Sequence, residues 1–214
     1  MRAALVIALT MGIASCKANV ERGFPDEIAP LEDNLAEPVA SRTEGKLNFE
    51  CGEETGEDPS YYWCHARGWV EAPIADVYAA TQVPEVNIDR REVSSWDVTW
   101  DVDPDAEVSY RIDHVVNNII TVEYSSVYGH TVHQGTPEEP EITWCVFDVV
   151  EGDDVIKVYR GSIVLVAEED GLTEFQFIEH LKTPMRDETQ IEQTIRDIYA
   201  DVLDTVKGRD LASF

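Results

Sequence analysis

The stretch that decides the fold is Thr183–Gly208, TPMRDETQIEQTIRDIYADVLDTVKG. Ile191, Ile195, Ile198, Tyr199, Val202, Leu203 and Val206 recur at the 3.6-residue period of a helix and form one apolar stripe. Asp187, Glu188, Glu192, Arg196, Asp197, Asp201, Asp204 and Lys207 occupy the other faces. Thr183 before Pro184 suits a helix start, with Asp187 a second candidate cap, and Lys207-Gly208 suits a stop. A helix of this kind needs an apolar surface to lie on, so the chain must supply one upstream.

That surface is legible from Trp96 onward. Trp96, Val98, Trp100 and Val102 alternate with Asp97, Thr99 and Asp101. After Asp103-Pro104-Asp105, Val108, Tyr110, Ile112 and His114 alternate with Glu107, Ser109, Arg111 and Asp113; after Asn117-Asn118, Ile120, Val122 and Tyr124 alternate with Thr121, Glu123 and Ser125. Period 2 over three consecutive segments predicts a sheet with one wet face. A loop at Gly129–Glu141 and further strands at Ile142–Val150, Val155–Ala167 and Leu172–Leu181 are expected. Most connections, such as Glu151–Asp154 and Glu168–Gly171, are too short for a parallel crossover, so neighbours must be antiparallel. Upstream, Tyr61–Val70 reads as a strand, Ile74–Gln82 has helical spacing, and Pro84–Glu92 is a second short helical or irregular piece. The expected order is strand, two short helices, six antiparallel strands and one long helix.

The N-terminal part has a different character. Ala3–Ser15 is an apolar run behind Met1-Arg2, too short to span a bilayer at about 20 residues per helix, and it reads as a signal peptide over residues 1–15. Its end, Ile13-Ala14-Ser15-Cys16, resembles the lipobox of bacterial lipoproteins, which implies cleavage before Cys16 and acylation of its sulfur. Lys17, where enteric lipoproteins retained at the inner membrane carry aspartate, points to the outer membrane of the cell envelope. Residues 16–60 are expected to be an acidic disordered tether: Val20–Ser60 holds 12 acidic residues against Arg22, Arg42 and Lys46, with prolines at 25, 30, 38 and 59. Leu47 and Phe49 could add an edge strand to the folded part. The formal net charge of −27 disfavours nucleic acid as a partner. Cys51 and Cys64 enclose a 12-residue loop and are the favoured disulfide in an oxidising compartment; Cys145, beside Phe147 and Val149, reads as a packed small hydrophobe.

The layout of residues 61–214 resembles the helix-grip fold of the START and Bet v 1-like (SRPBCC, polyketide cyclase and lipid transport) superfamily. The resemblance is carried by Val70-Glu71-Ala72-Pro73-Ile74-Ala75-Asp76-Val77-Tyr78, Tyr159-Arg160-Gly161-Ser162-Ile163, Thr173-Glu174-Phe175 and the terminal helix. It implies an α+β domain, a curved antiparallel sheet of about seven strands gripping the long helix, with a cavity between that binds a lipid or other hydrophobic small molecule. Trp96, Trp100, Tyr110, Ile112, His114, Ile120, Tyr124, Trp144, Phe175, Phe177, Ile195 and Tyr199 are the candidate wall, although any one of them could equally be plain core. Two other readings use the same chain: a cyclase- or hydrolase-like enzyme with His114 as acid/base, and an envelope interaction module without ligand. His130-x-x-His133, expected in the loop, could chelate a metal but lacks a visible third ligand, and Asp101-x-Asp103-x-Asp105 departs from a calcium loop at Ala106 and Ile112. No Gly-rich phosphate loop or nucleophile elbow occurs, so neither a cofactor nor a metal is expected.

Overall fold

The computed structural model describes residues 32–54, 61–118, 120–153, 155–184 and 188–212. The signal peptide, Cys16 and the first part of the tether lie outside the described residues. The elements are β1 (Leu47–Glu54), β2 (Tyr61–Val70), α1 (Ile74–Thr81), a 3₁₀ turn (Pro84–Asn87), β3 (Ser95–Trp100), β4 (Val108–Asn117), β5 (Thr121–Gly135), β6 (Pro140–Gly152), β7 (Val158–Ala167), β8 (Thr173–Lys182) and α2 (Glu188–Val206). They form one eight-stranded sheet in the order β1-β2-β8-β7-β6-β5-β4-β3, every neighbouring pair antiparallel. Strands β3 to β8 are a meander, as their short turns require, and β2 joins its far side next to β8.

Three pieces cover the inner face. The stripe of α2 packs Ile191, Ile195, Ile198, Tyr199 and Val202 against β1, β2 and β8. The shorter α1 lies over β6 and β7 through Ile74, Val77, Tyr78 and Ala80. The 3₁₀ turn covers β4 and β5: the Asn87 side-chain amide donates to the Tyr110 hydroxyl at 2.7 Å, and the Tyr128 hydroxyl donates to the Asn87 carbonyl at 3.1 Å. Gly161 permits the tightest approach, since a Cβ there would come within 2.2 Å of both the Phe147 ring and the Ile178 carbonyl oxygen.

Several expectations are corrected. The expected loop at 129–141 is instead the end of β5 and the start of β6, joined by Thr136–Glu139, with Gly135 at φ +90°. The sheet has eight strands because residues 32–54 of the expected tether belong to the fold. Its residues 47–54 are β1, residues 32–42 run across the outer face of β2 and β8, and Glu44 and Gly45 reach Lys207 and Tyr199 of α2. That strap has no hydrophobic period because polar contacts hold it. The Asn34 side chain donates to the carbonyls of Ala66 and Phe177, the Trp69 indole donates to the Val39 carbonyl, and the Arg42 guanidinium stacks on Trp69. Cys51 and Cys64 are directly opposed in the β1–β2 register and joined as a disulfide.

Candidate functional site

The centre of the grip is filled. Tyr110 stacks on Tyr128 at 5.1 Å between ring centroids, Tyr128 on Phe147 at 5.3 Å, Phe147 meets Phe177 at 5.9 Å, and Phe175 meets Tyr199 at 5.3 Å. This column of rings crosses the inner face from β4 to β8 and ends on α2. Burial drives up the phenol pKa values of Tyr110 and Tyr128, so both remain neutral donors and acceptors. Tyr199 closes the column: its hydroxyl donates to the Trp69 carbonyl and accepts from the Gly45 amide at 3.1 Å.

Of the twelve candidate wall residues, Tyr110, Ile112, Tyr124, Phe175, Phe177, Ile195 and Tyr199 belong to the buried core, with His114 buried among them. Trp96 is half-buried against its edge. Trp100 is 50% exposed, lying edge-on to Tyr110, and Ile120 is 52% exposed in the β4–β5 turn. Trp144 points to the opposite face from its neighbours Cys145 and Phe147 and stacks on His133 at 3.7 Å. Trp144 therefore faces away from the rest, Trp100 lies at the exposed margin of the same face as Tyr110, and Ile120 is in an exposed turn. Trp144 has no parity legible from the sequence, because Ile142–Val150 is apolar at both.

The histidines are also separated by parity. His130 and His133 sit on opposite faces of β5, which removes them as a chelating pair. His130 is fully buried, 3.5 Å from the Cys145 sulfur, and burial lowers its pKa to about 3 while pushing the Cys145 thiol up. Both partners are thus neutral, and the pair is not an activated thiolate. His114 hydrogen-bonds Ser126 through Nε2 at 2.8 Å and stacks flat on Tyr124 at 4.4 Å.

Open volume survives at one end of the grip, where α2 begins. A cavity of about 100 Å³ has an apolar floor of Val116, Val122, Tyr124, Ile156, Tyr159 and Leu181. Its rim is polar: Asp89, Glu92, Asn118, Thr183 and Gln190. Tyr124 is the one residue of the expected wall in this lining; Tyr159, which burial keeps protonated, was missed although it sits beside Arg160-Gly161. The segment between the 3₁₀ turn and β3 roofs the cavity and is pinned to α2. Arg90 pairs with Asp201, Arg91 pairs with Asp197, and the Thr194 hydroxyl donates to Asp89 at 3.0 Å. Burial raises the Asp201 pKa, with Arg90 opposing the rise.

A second cluster lies on the outer face. Glu32 Oε1 is 2.8 Å from His65 Nε2 and 2.9 Å from His180 Nε2, and these three ligating atoms fall within 4.8 Å of one another. The Leu35 amide donates to His65 Nδ1 at 2.8 Å, which puts the lone pair of that ring on Nδ1 and its proton on Nε2. A metal at Nε2 would need the opposite tautomer, so the geometry suits hydrogen bonding better than coordination.

No protein-family model matches the sequence, and neither does any curated protein. Solved structures do match. The human StAR-related lipid transfer protein 5 superposes with a TM-score of 0.52 at 10% identity, over 77% of this chain and 83% of that one. The human StarD13 lipid transfer and protein localization domain superposes with a TM-score of 0.51 at 12% identity, over 78% of this chain and 85% of that one. The architecture is the helix-grip fold, which these two structures share. At these identities the likeness is one of fold, and the chemistry rests on this chain's own residues.

Proposed function

We propose that this chain is a lipid-anchored binding protein that takes a lipid or other small amphipathic molecule at the mouth of its grip. The observation that carries the reading is the cavity at the start of α2, with its apolar floor of Val122, Tyr124, Ile156, Tyr159 and Leu181 and its rim of Asp89, Glu92 and Asn118. An apolar body would lie on the floor, and a hydrogen-bonding or cationic head would meet the acidic rim. The two neighbours named for lipid transfer support a hydrophobic ligand in this fold. At about 100 Å³ the cavity is well below the roughly 300–1,000 Å³ of sites that enclose a drug-sized ligand. A longer ligand would enter by displacing the roof segment and breaking its two Arg–Asp pairs.

The anchor reading rests on residues 1–16, whose apolar run and Ile13-Ala14-Ser15-Cys16 end fit export, acylation and residence in the outer membrane of a bacterial envelope. A catalytic use of the pocket has less support, because His114 spends Nε2 on Ser126 and does not line the cavity. The packed aromatic centre favours a second reading, an envelope interaction module that carries no ligand.

Metabolic labelling with a radioactive fatty acid tests the anchor: label is expected in the full chain and not in Cys16→Ser. Organic extraction of the Cys16→Ser protein tests the ligand. A recovered amphipath in near-stoichiometric amount supports the binding protein, and an empty extract favours the ligand-free module.

A further inference from the structure

The Glu32, His65, His180 and Tyr61 cluster belongs to neither the cavity nor the anchor, and it joins the strap to the sheet. Glu32 is on the strap, His65 and Tyr61 on β2, and His180 on β8. With its Nδ1 occupied by the Leu35 amide, His65 donates from Nε2 to Glu32 Oε1. His180 donates from Nε2 to the same oxygen, while Tyr61 donates to its Nδ1 at 2.5 Å. One carboxylate oxygen is therefore clamped by two imidazole N–H groups, each aligned by a second hydrogen bond from behind. The floor is rigid: the Trp63 indole lies edge-on to His65 at 5.2 Å and rests so close on Gly52 that a Cβ there would come within 2.5 Å of it.

We propose that this cluster is an acid-sensitive latch that fastens the start of the strap, ahead of Val39, to the outer face of β2 and β8 at neutral pH and releases it in acid. The release follows from the hydrogen-bond directions. A proton can reach His65 only at Nδ1, and an Nδ1–H there would meet the Leu35 N–H donor to donor. His65 is also 1% exposed, so a charge on its ring is poorly solvated. Protonating Glu32 would in turn replace an oxygen that accepts two hydrogen bonds with a weaker acceptor.

The other titratable groups facing the cluster are Glu50 and Glu54 on β1, Asp33 on the strap and Arg160 on β7. Glu32 and Glu50 favour a proton on the His65 imidazole, and His180 opposes one. Burial lowers the His65 pKa below its ordinary 6.5 in spite of Glu32. Burial raises that of Glu32, but the two histidines more than offset it and hold it below 4.5. Both groups have depressed folded-state values, so the latch is fully fastened above about pH 6.5 and loosens as pH falls. In a chain anchored as proposed above, release of residues 32–38 would lengthen the tether by roughly 20 Å at about 3.3 Å per residue; that consequence rests on the anchor, whereas the latch does not.

Hydrogen exchange of the full chain, read as protection of the Leu35 and Ala36 amides relative to their intrinsic rates, tests the latch. Protection of Leu35 is expected to fall by roughly ten- to hundredfold between pH 7.5 and 4.5 while β7 and β8 amides stay protected. Glu32→Gln, on the exposed side of the cluster, is expected to lower Leu35 protection at pH 7.5 by about tenfold, and His180→Gln to do the same without altering the core. Leu35 protection that tracks the core at every pH, or that is the same in wild type and both variants, would overturn the latch. So would sub-micromolar Zn²⁺ binding that depends on His65, since it requires the other tautomer.

Discussion

The pair of Arg90 and Asp201 gives the sharpest quantitative test of how the roof segment is held. The Asp201 side chain is 4% exposed and that of Arg90 12%, so Arg90→Ala leaves a buried carboxylate on α2 without its counter-charge. Removing one partner of a buried pair costs about 3–5 kcal/mol; the residual exposure of Arg90 places the expected loss near the lower end, about 3 kcal/mol. The loss has a definite pH dependence. Burial already raises the Asp201 pKa from its ordinary 3.8, and deleting the opposing Arg90 raises it further. A carboxyl whose folded pKa is raised binds more protons in the native state than in the unfolded one, so its contribution to stability falls as pH rises through that value. The Arg90→Ala deficit should therefore be largest at pH 7.5 and shrink toward pH 4.5. Adding Asp201→Asn should recover at least about 1 kcal/mol at pH 7.5, because the uncompensated charge is gone. Urea titrations at the two pH values, with coincident fluorescence and circular dichroism transitions, measure all of this. A deficit below about 1 kcal/mol, or one unchanged with pH, would show that the pair does not hold the roof.

Other outcomes are equally specific. Phe147→Ala, at the middle of the aromatic column, is expected to cost about 3–5 kcal/mol in urea unfolding and to open a cavity that binds small aromatics; a loss under 1 kcal/mol would mean the column is not packed as described. Cys51→Ala/Cys64→Ala is expected to lose on the order of 3 kcal/mol, with hydrogen exchange rising first in β1, since the bond ties that edge strand to β2. His130, neutral in the fold with a pKa near 3, makes the native state lose stability as pH falls from 6.5 toward 3; His130→Leu should flatten part of that slope in acid denaturation.

The meander was readable because β3, β4 and the start of β5 each face water on one side, and alternation records that directly. The α2 stripe was readable for the same reason, although its role changed. Ile195 and Tyr199 are core over β2 and β8 and do not line the cavity, which α2 borders at its first turn through Gln190. Where polar residues run through a strand without alternation the signal fails. His130, Thr131, His133 and Gln134 looked like loop, yet β5 continues through them because β6 supplies their backbone partners, with a register shift between Val132 and Gln134. The strap was illegible because Asn34 and Trp69 hold it by hydrogen bonds to main-chain carbonyls, which leave no periodic trace. The cavity was only partly legible. The aromatic alternation located the inner face, but whether rings meet in the middle depends on partners such as Tyr128 and Phe147, contributed by strands whose inward register the sequence leaves open.

The most direct test of the binding reading is native mass spectrometry of the Cys16→Ser protein beside the same chain carrying Val122→Phe, which fills the floor of the cavity. The wild-type cavity is expected to retain a small amphipathic mass, and Val122→Phe to lose it while its stability stays within about 1–3 kcal/mol of the parent. An identical bound mass in both proteins, or no bound mass in either, would contradict a ligand held at the mouth of the grip.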